Sequence, residues 1–80
     1  MSSIIYEVTE DTYLIDGELK QIYGIAVYSN DKNNAKKTLL KAINNITTDK
    51  YKLSQLAKAC NSCNLSPIHL KDIVEDFLYD

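Results

Sequence analysis

Asp16-Gly17 constrains the fold more than any other feature of this chain. A two-residue type I′ hairpin turn needs positive φ at both central positions, and Asp-Gly adopts that geometry at little cost. Counting outward from the turn sets Ile15 opposite Glu18, Leu14 opposite Leu19, Val8 opposite Ile25 and Tyr6 opposite Val27. One face of a hairpin built from residues 3–15 and 18–29 then carries Ile4, Tyr6, Val8, Leu14, Leu19, Tyr23, Ile25 and Val27. Residues chosen by turn position alone fall on one apolar face, as a half-buried antiparallel pair requires. The reverse face mixes Glu7, Thr9, Asp11, Lys20 and Ala26 with Ile5, Ile22 and Tyr28, and is expected to be mostly wet. Gly24 faces Thr9 there, and a missing side chain inside a strand signals a bulge or a close backbone approach. A bulge near Glu10 to Thr12 would shift the outer pairings by one residue.

Residues 29 to 47 open on the turn-rich run Ser29 to Asn34 and then admit two readings. Ala35, Leu39, Ala42, Ile43 and Ile46 fit helical spacing. Thr38, Leu40 and Ala42 alternate and could extend the sheet opposite Val27, Ile25 and Tyr23. Propensity favours the helix, whereas the marginal stability of a lone hairpin favours a third strand.

Beyond this stretch the pattern is helical. Thr47 or Thr48 can cap a helix whose inward stripe is Leu53, Leu56, Ala57, Cys60 and Cys63, and Asn64 suits its left-handed end. Ser66 is then expected to cap the last helix, with Pro67 at its first position, where a missing N–H costs nothing. In that last helix Leu70, Ile73, Val74, Phe77 and Leu78 form the buried stripe, while Lys71, Asp72, Glu75 and Asp76 face solvent. The expected class is α+β: an antiparallel hairpin or three-stranded sheet followed by two C-terminal helices packed on one face, in a single small domain over residues 1–80.

With 80 residues there is room for one modest core. Net charge is -2, and all 9 basic residues are lysines scattered among acids. Without guanidinium forks or a concentrated basic stripe, no nucleic-acid partner is expected. The first residues carry no basic region and no apolar run of signal length, and no stretch could span a bilayer, so the expected location is cytoplasmic with no membrane role. The two cysteines are then reduced by default. Asn45-Ile46-Thr47 and Asn64-Leu65-Ser66 match the glycosylation pattern by chance in that setting.

Tyr23-Gly24-Ile25 in a strand, Asn45-Ile46-Thr47 before a helix, and the ending from Leu65-Ser66-Pro67-Ile68-His69 through Lys71-Asp72-Ile73-Val74-Glu75-Asp76-Phe77-Leu78 together resemble a family of small domains of unknown function. That family occurs in clostridia and related low-GC Gram-positive bacteria, and the surplus of Ile, Lys, Asn and Tyr agrees with an AT-rich genome. The resemblance spans most of the chain and brings no activity with it. It implies an antiparallel sheet followed by two helices, which tips residues 37 to 44 toward a strand.

Candidate chemistry is sparse. Cys60, Cys63 and His69 are the only constellation that points to metal, but zinc takes four ligands and only Asp72 could complete the set. The same cysteines could serve a thiol switch, although a position near a helix end disfavours the thiolate. His69, Asp72 and Asp76 share one helix face, yet acid–base work needs a pocket and a held substrate, and a solvated face is the better account. We therefore expect no enzyme, no cofactor and no metal. The expected role is a cytoplasmic protein-interaction or regulatory module, with a thiol- or zinc-dependent regulator using Cys60, Cys63 and His69 as the alternative. The partner is a protein, a second copy of the chain among the candidates. Its contact surfaces are the outer hairpin face at Ile5, Ile22 and Tyr28, where an apolar patch needs a cover, and the acidic face at Asp72, Glu75 and Asp76.

Overall fold

A computed structural model describes residues 2–31 and 36–79. Strands β1 (Ser2–Ile15), β2 (Glu18–Asp31) and β3 (Lys36–Thr47) precede helices α1 (Lys50–Ser62) and α2 (Leu70–Tyr79), the latter entered through a 3-10 turn at Pro67–His69. The α+β architecture is the expected one. The sheet is antiparallel in the order β1-β2-β3. Asp16 and Gly17 both have positive φ, 52° and 80°, as the type I′ turn demands.

The β1–β2 register matches the count from the turn at every position, from Ile15↔Glu18 through Tyr6↔Val27 to Ser2↔Asp31. No bulge interrupts it near Glu10 to Thr12. The irregularities lie instead between β2 and β3. Leu40 is an extra residue between the pairs Val27↔Lys41 and Tyr28↔Leu39. Asn44, Asn45 and Ile46 stand opposite Gly24, between Ile25↔Ile43 and Tyr23↔Thr47, with Asn45 left-handed at φ 58°. The residues between 36 and 47 therefore form a strand, but not with Thr38, Leu40 and Ala42 facing inward. The bulges turn Ile43 and Ile46 to the core and leave Leu40 and Ala42 exposed.

Gly24 is what lets the wide bulge close. A Cβ there would lie 2.5 Å from the Ile43 carbonyl oxygen, 2.9 Å from Asn44 Cα and 2.9 Å from Thr9 Oγ1. Strand β2 continues to Asp31, two residues past its expected end, while residues 32 to 35, including the rest of the turn-rich run, lie outside the described residues.

Both helices cover one sheet face. Leu53, Ala57 and Cys60 of α1 and Leu70 and Val74 of α2 close over Tyr6, Tyr23, Ile25, Val27 and Ile46, with Leu56, Ile73 and Phe77 partly buried at the margin. Each fully buried leucine contributes roughly 2–3 kcal/mol of transfer free energy. Cys63 and Leu78, expected on the buried stripes, are exposed instead: Cys63 is the C-cap residue of α1, and Leu78 lies in the last turn of α2. The N-cap of α1 is Asp49 rather than either threonine: its carboxylate accepts from the Lys52 N–H at 3.0 Å, while Thr47 Oγ1 accepts from the Asp49 N–H at 3.1 Å. At the other end Asn64 is left-handed at φ 50°, and the Leu65 N–H reaches back to the Cys60 carbonyl at 3.1 Å. Ser66 stands at the cap position before Pro67 as expected, but its side chain makes no cap bond; only its carbonyl is engaged, accepting from the His69 N–H at 3.0 Å.

Candidate interaction surface

The hairpin outruns everything packed against it. Strand β3 pairs with β2 only as far as Tyr23, so the stretch from about Thr12 to Gln21 projects as a bare two-stranded arm. Fourteen residues at about 3.3 Å each run close to the full 47 Å length of the molecule. Leu14 and Leu19, assigned to the core by their face, sit directly opposite one another near the tip, 71% and 76% exposed. Their face is right and their distance along the strands is not: the two short helices end before reaching them. Tyr13 and Ile15 on the reverse face are each 38% exposed, so the tip is apolar on both sides.

Hydrogen-bond geometry defines which edges are open. Tyr6 directs its backbone N–H and carbonyl away from β2, onto the side chain of Asn61, with the N–H donating to Oδ1 at 2.7 Å and Nδ2 donating to the carbonyl at 2.9 Å. By the alternation of an antiparallel ladder, Glu10, Thr12 and Leu14 also point their backbone groups outward, and Leu14↔Leu19 is a pair of the closer, non-hydrogen-bonded kind. Asn61 thus plugs the free edge of β1 at Tyr6 and leaves it open along the arm. Sequence reasoning missed this contact, since an Asn late in a helix gives no sign that it will meet a strand 55 residues away.

Charge is divided between the two outer strands. The only charged residues of β1 are Glu7, Glu10 and Asp11, and Asp16 and Glu18 follow at the turn; in β3 the only charged residues are Lys36, Lys37 and Lys41. Lys37 pairs with Glu7 across the open sheet face, and its ammonium lies 4.3 Å from the centre of the Tyr28 ring. Ile5, Tyr28 and Leu39 form a row across that face. Ile5, Ile22 and Tyr28 are half-buried, while Leu39 and Leu40 are 56% and 47% exposed. Among the described residues, no element packs on this face, since residues 36–47 lie in the sheet as its third strand. Asp72, Glu75 and Asp76 are exposed along α2, away from both surfaces in sequence.

The other candidates are not brought together as a centre. Cys60 is a free thiol inside the core and Cys63 an exposed one, its sulfur 3.7 Å from the Cys60 carbonyl. Burial pushes the Cys60 thiol up, with a further push from Cys63; burial likewise raises the Tyr6 phenol, with the two cysteines adding to it. The Tyr6 hydroxyl donates to the Leu65 carbonyl at 2.7 Å, tying the sheet to the segment between the helices. His69 is exposed. Among the described residues, no three His, Cys, Asp or Glu side chains are grouped to hold a metal ion, and no helix is long and apolar enough to cross a membrane.

A family model matches residues 2–80. The chain belongs to DUF6514, a family of unknown function. No curated protein and no solved structure matches it. Membership agrees with the small-domain resemblance drawn from the strand and the last helix, and assigns no chemistry to any DUF6514 residue named above.

Proposed function

We propose that the chain is a non-enzymatic, cytoplasmic protein-interaction or regulatory module that binds its partner through the projecting hairpin arm. The observation that carries this reading is the Leu14–Leu19 pair, two large, mostly exposed apolar side chains set opposite one another near the end of the projecting hairpin. Docking that removed both from water would yield about 1.5–3 kcal/mol for each. Clustered apolar exposure on a projecting element is the usual mark of a contact site. The half-buried Ile5, Ile22 and Tyr28 have less left to bury, and Asp72, Glu75 and Asp76 offer a second surface suited to a basic region of a partner. A thiol- or zinc-dependent regulator built on Cys60, Cys63 and His69 has weaker support, because Cys60 packs in the core.

The test is affinity purification of the tagged chain from the cells that make it, alongside Leu14→Glu/Leu19→Glu, Ile22→Glu, Asp76→Lys and Cys63→Ser variants. A stoichiometric protein lost with the leucine variant and kept with Cys63→Ser is the expected result. Retention by the leucine variant, or loss confined to Cys63→Ser, would sink the reading.

A further inference from the structure

We propose that the arm binds its partner by strand addition: an extended peptide segment, basic in one half and β-branched or otherwise apolar in the other, lies along the free edge of β1 from Glu10 to Ile15 as an outer strand. The inference rests on the arm being a docking element, and deepens that reading by naming the edge that is used and the chemistry of what lies on it.

Among the described residues, every other strand edge of the sheet is guarded. The outer strand β3 is broken by two register shifts and carries Lys36, Lys37 and Lys41. Bulges and lysines are the usual devices that stop an edge from templating a foreign strand. The arm edge of β2 offers only Leu19 and Gln21, with Lys20 between them, before the strand meets β3 at the Tyr23↔Thr47 pair. On β1, Asn61 already fills the backbone groups of Tyr6, and its amide shows what this edge accepts: an acceptor and a donor side by side. An added strand repeats that pattern at every second residue. Toward the turn the β1 edge has no guard, since its register is unbroken and it carries no lysine and no proline. Glu10, Thr12 and Leu14, whose backbone N–H and carbonyl groups point outward there, are all exposed.

The side chains along this edge set the sequence of what it pairs with. Glu10 and Asp11 place one negative charge on each face of the ribbon, whereas Thr12, Tyr13, Leu14 and Ile15 are uncharged. A residue directly opposite either acid on an added strand is favoured when basic and disfavoured when acidic. Opposite Leu14, an apolar side chain extends the Leu19–Leu14 row across a third strand and covers the flank of Leu14. Opposite Tyr13 and Ile15, a β-branched side chain does the same on the reverse face. Main-chain bonds to the edge then supply affinity, and the split between acidic and apolar positions supplies selectivity.

The probe is a capped, labelled synthetic peptide, one half valine and threonine and the other half lysine and threonine, made in both chain directions, with a twin that carries glutamate for lysine. Binding to the full chain is followed by fluorescence anisotropy up to on the order of 1 mM chain, a range that captures weak association, and by amide hydrogen exchange. The lysine peptide is expected to bind in at least one direction and more weakly as salt rises, with the glutamate twin at least about tenfold weaker. It should slow exchange at the outward Glu10, Thr12 and Leu14 amides and leave Asp11 and Tyr13, already bonded within the hairpin, unchanged. Thr12→Pro removes an outward N–H without touching the β1–β2 ladder and should abolish binding. Glu10→Lys/Asp11→Lys should move the preference to the glutamate twin, and carries the test if circular dichroism shows the proline variant unfolded. No saturable binding of either peptide, equal binding of the two, or protection confined to other amides would overturn the inference. So would a molar mass above the monomer that Thr12→Pro lowers, which gives the edge to a second copy. The docking role of the arm is read separately by capture of a cellular protein. Loss with Leu14→Glu/Leu19→Glu but not with Thr12→Pro keeps the arm as a docking element and removes the edge, whereas retention by the leucine variant sinks the docking role and the inference with it.

Discussion

Asn61 treats Tyr6 as a neighbouring β-strand would, accepting its N–H at 2.7 Å and donating to its carbonyl at 2.9 Å. One side-chain amide supplies both partners that an adjacent strand residue would have offered, and it does so from the last turns of α1. The contact ties helix to sheet at the point where the Tyr6 ring enters the core. Asn61→Ala should lower stability by about 1–3 kcal/mol, since it strands a partly buried donor and acceptor together. Asn61→Asp should be at least as destabilising at neutral pH, because it keeps the acceptor for the Tyr6 N–H but turns a carboxylate oxygen toward the Tyr6 carbonyl in place of the donor. Urea unfolding followed by circular dichroism measures both, and an Asn61→Ala change within experimental scatter would show that solvent replaces the amide without loss.

Gly24 and the β3 bulge depend on each other, and substitution tests that dependence. Two of the three atoms crowding a Cβ at Gly24 are backbone, the Ile43 oxygen at 2.5 Å and Asn44 Cα at 2.9 Å, so a flexible side chain cannot yield to make room. Gly24→Ala should cost at least about 1–3 kcal/mol and loosen β3 from β2. The third atom, Thr9 Oγ1, is buried with no hydrogen-bond partner among the described residues. Thr9→Val removes that unsatisfied hydroxyl and should be neutral or stabilising by about 1 kcal/mol. Thermal melting of the two variants gives both signs.

The turn explains how much of this fold was legible. Asp16-Gly17 fixes the register for fourteen residues on either side, and every pairing counted from it holds, because side-chain alternation leaves no freedom once the turn type is set. Strand β3 was not legible to the same degree. Its two bulges break the alternation, so Leu40 and Ala42 looked inward on a period of two and Ile43 and Ile46 looked helical. Only the glycine signalled the crossing, and it named the place without naming the strand. The arm was hidden for a different reason: a face assignment says which way Leu14 and Leu19 point, and nothing in it says how far the helices extend. That length is set by where Asp49 caps α1 and where Asn64 turns the chain, which are local events remote from the tip.

Alkaline pH should act on the core through Cys60 and Tyr6. Burial is the main cause that raises both groups above their ordinary values of 9.0 and 10.0. Near and above pH 9 the unfolded chain loses these protons while the folded chain keeps them, so the folded state binds more protons and its stability falls as pH rises. Below that range the contribution is fully present and flat. Cys60→Ala should lower stability at neutral pH by removing packed volume, yet flatten the decline between about pH 8 and 10. Unfolding midpoints measured across that window distinguish the two effects, and an unchanged slope would assign the decline to Tyr6 alone.

Leu14 and Leu19 separate folding from docking. If their apolar face served the core, Leu14→Ser/Leu19→Ser would cost several kcal/mol, as Ile25→Ala at the fully buried centre of β2 should, at about 2–5 kcal/mol. At 71% and 76% exposure each leucine has little burial to lose, so the double variant should stay within about 1 kcal/mol of the wild type, the surviving cost being the cross-strand contact between them. Denaturant midpoints of the two variants and the wild type give the comparison. A small change for the leucine pair beside a large one for Ile25→Ala means that the fold does not need these side chains. Their exposed area is then available to a partner.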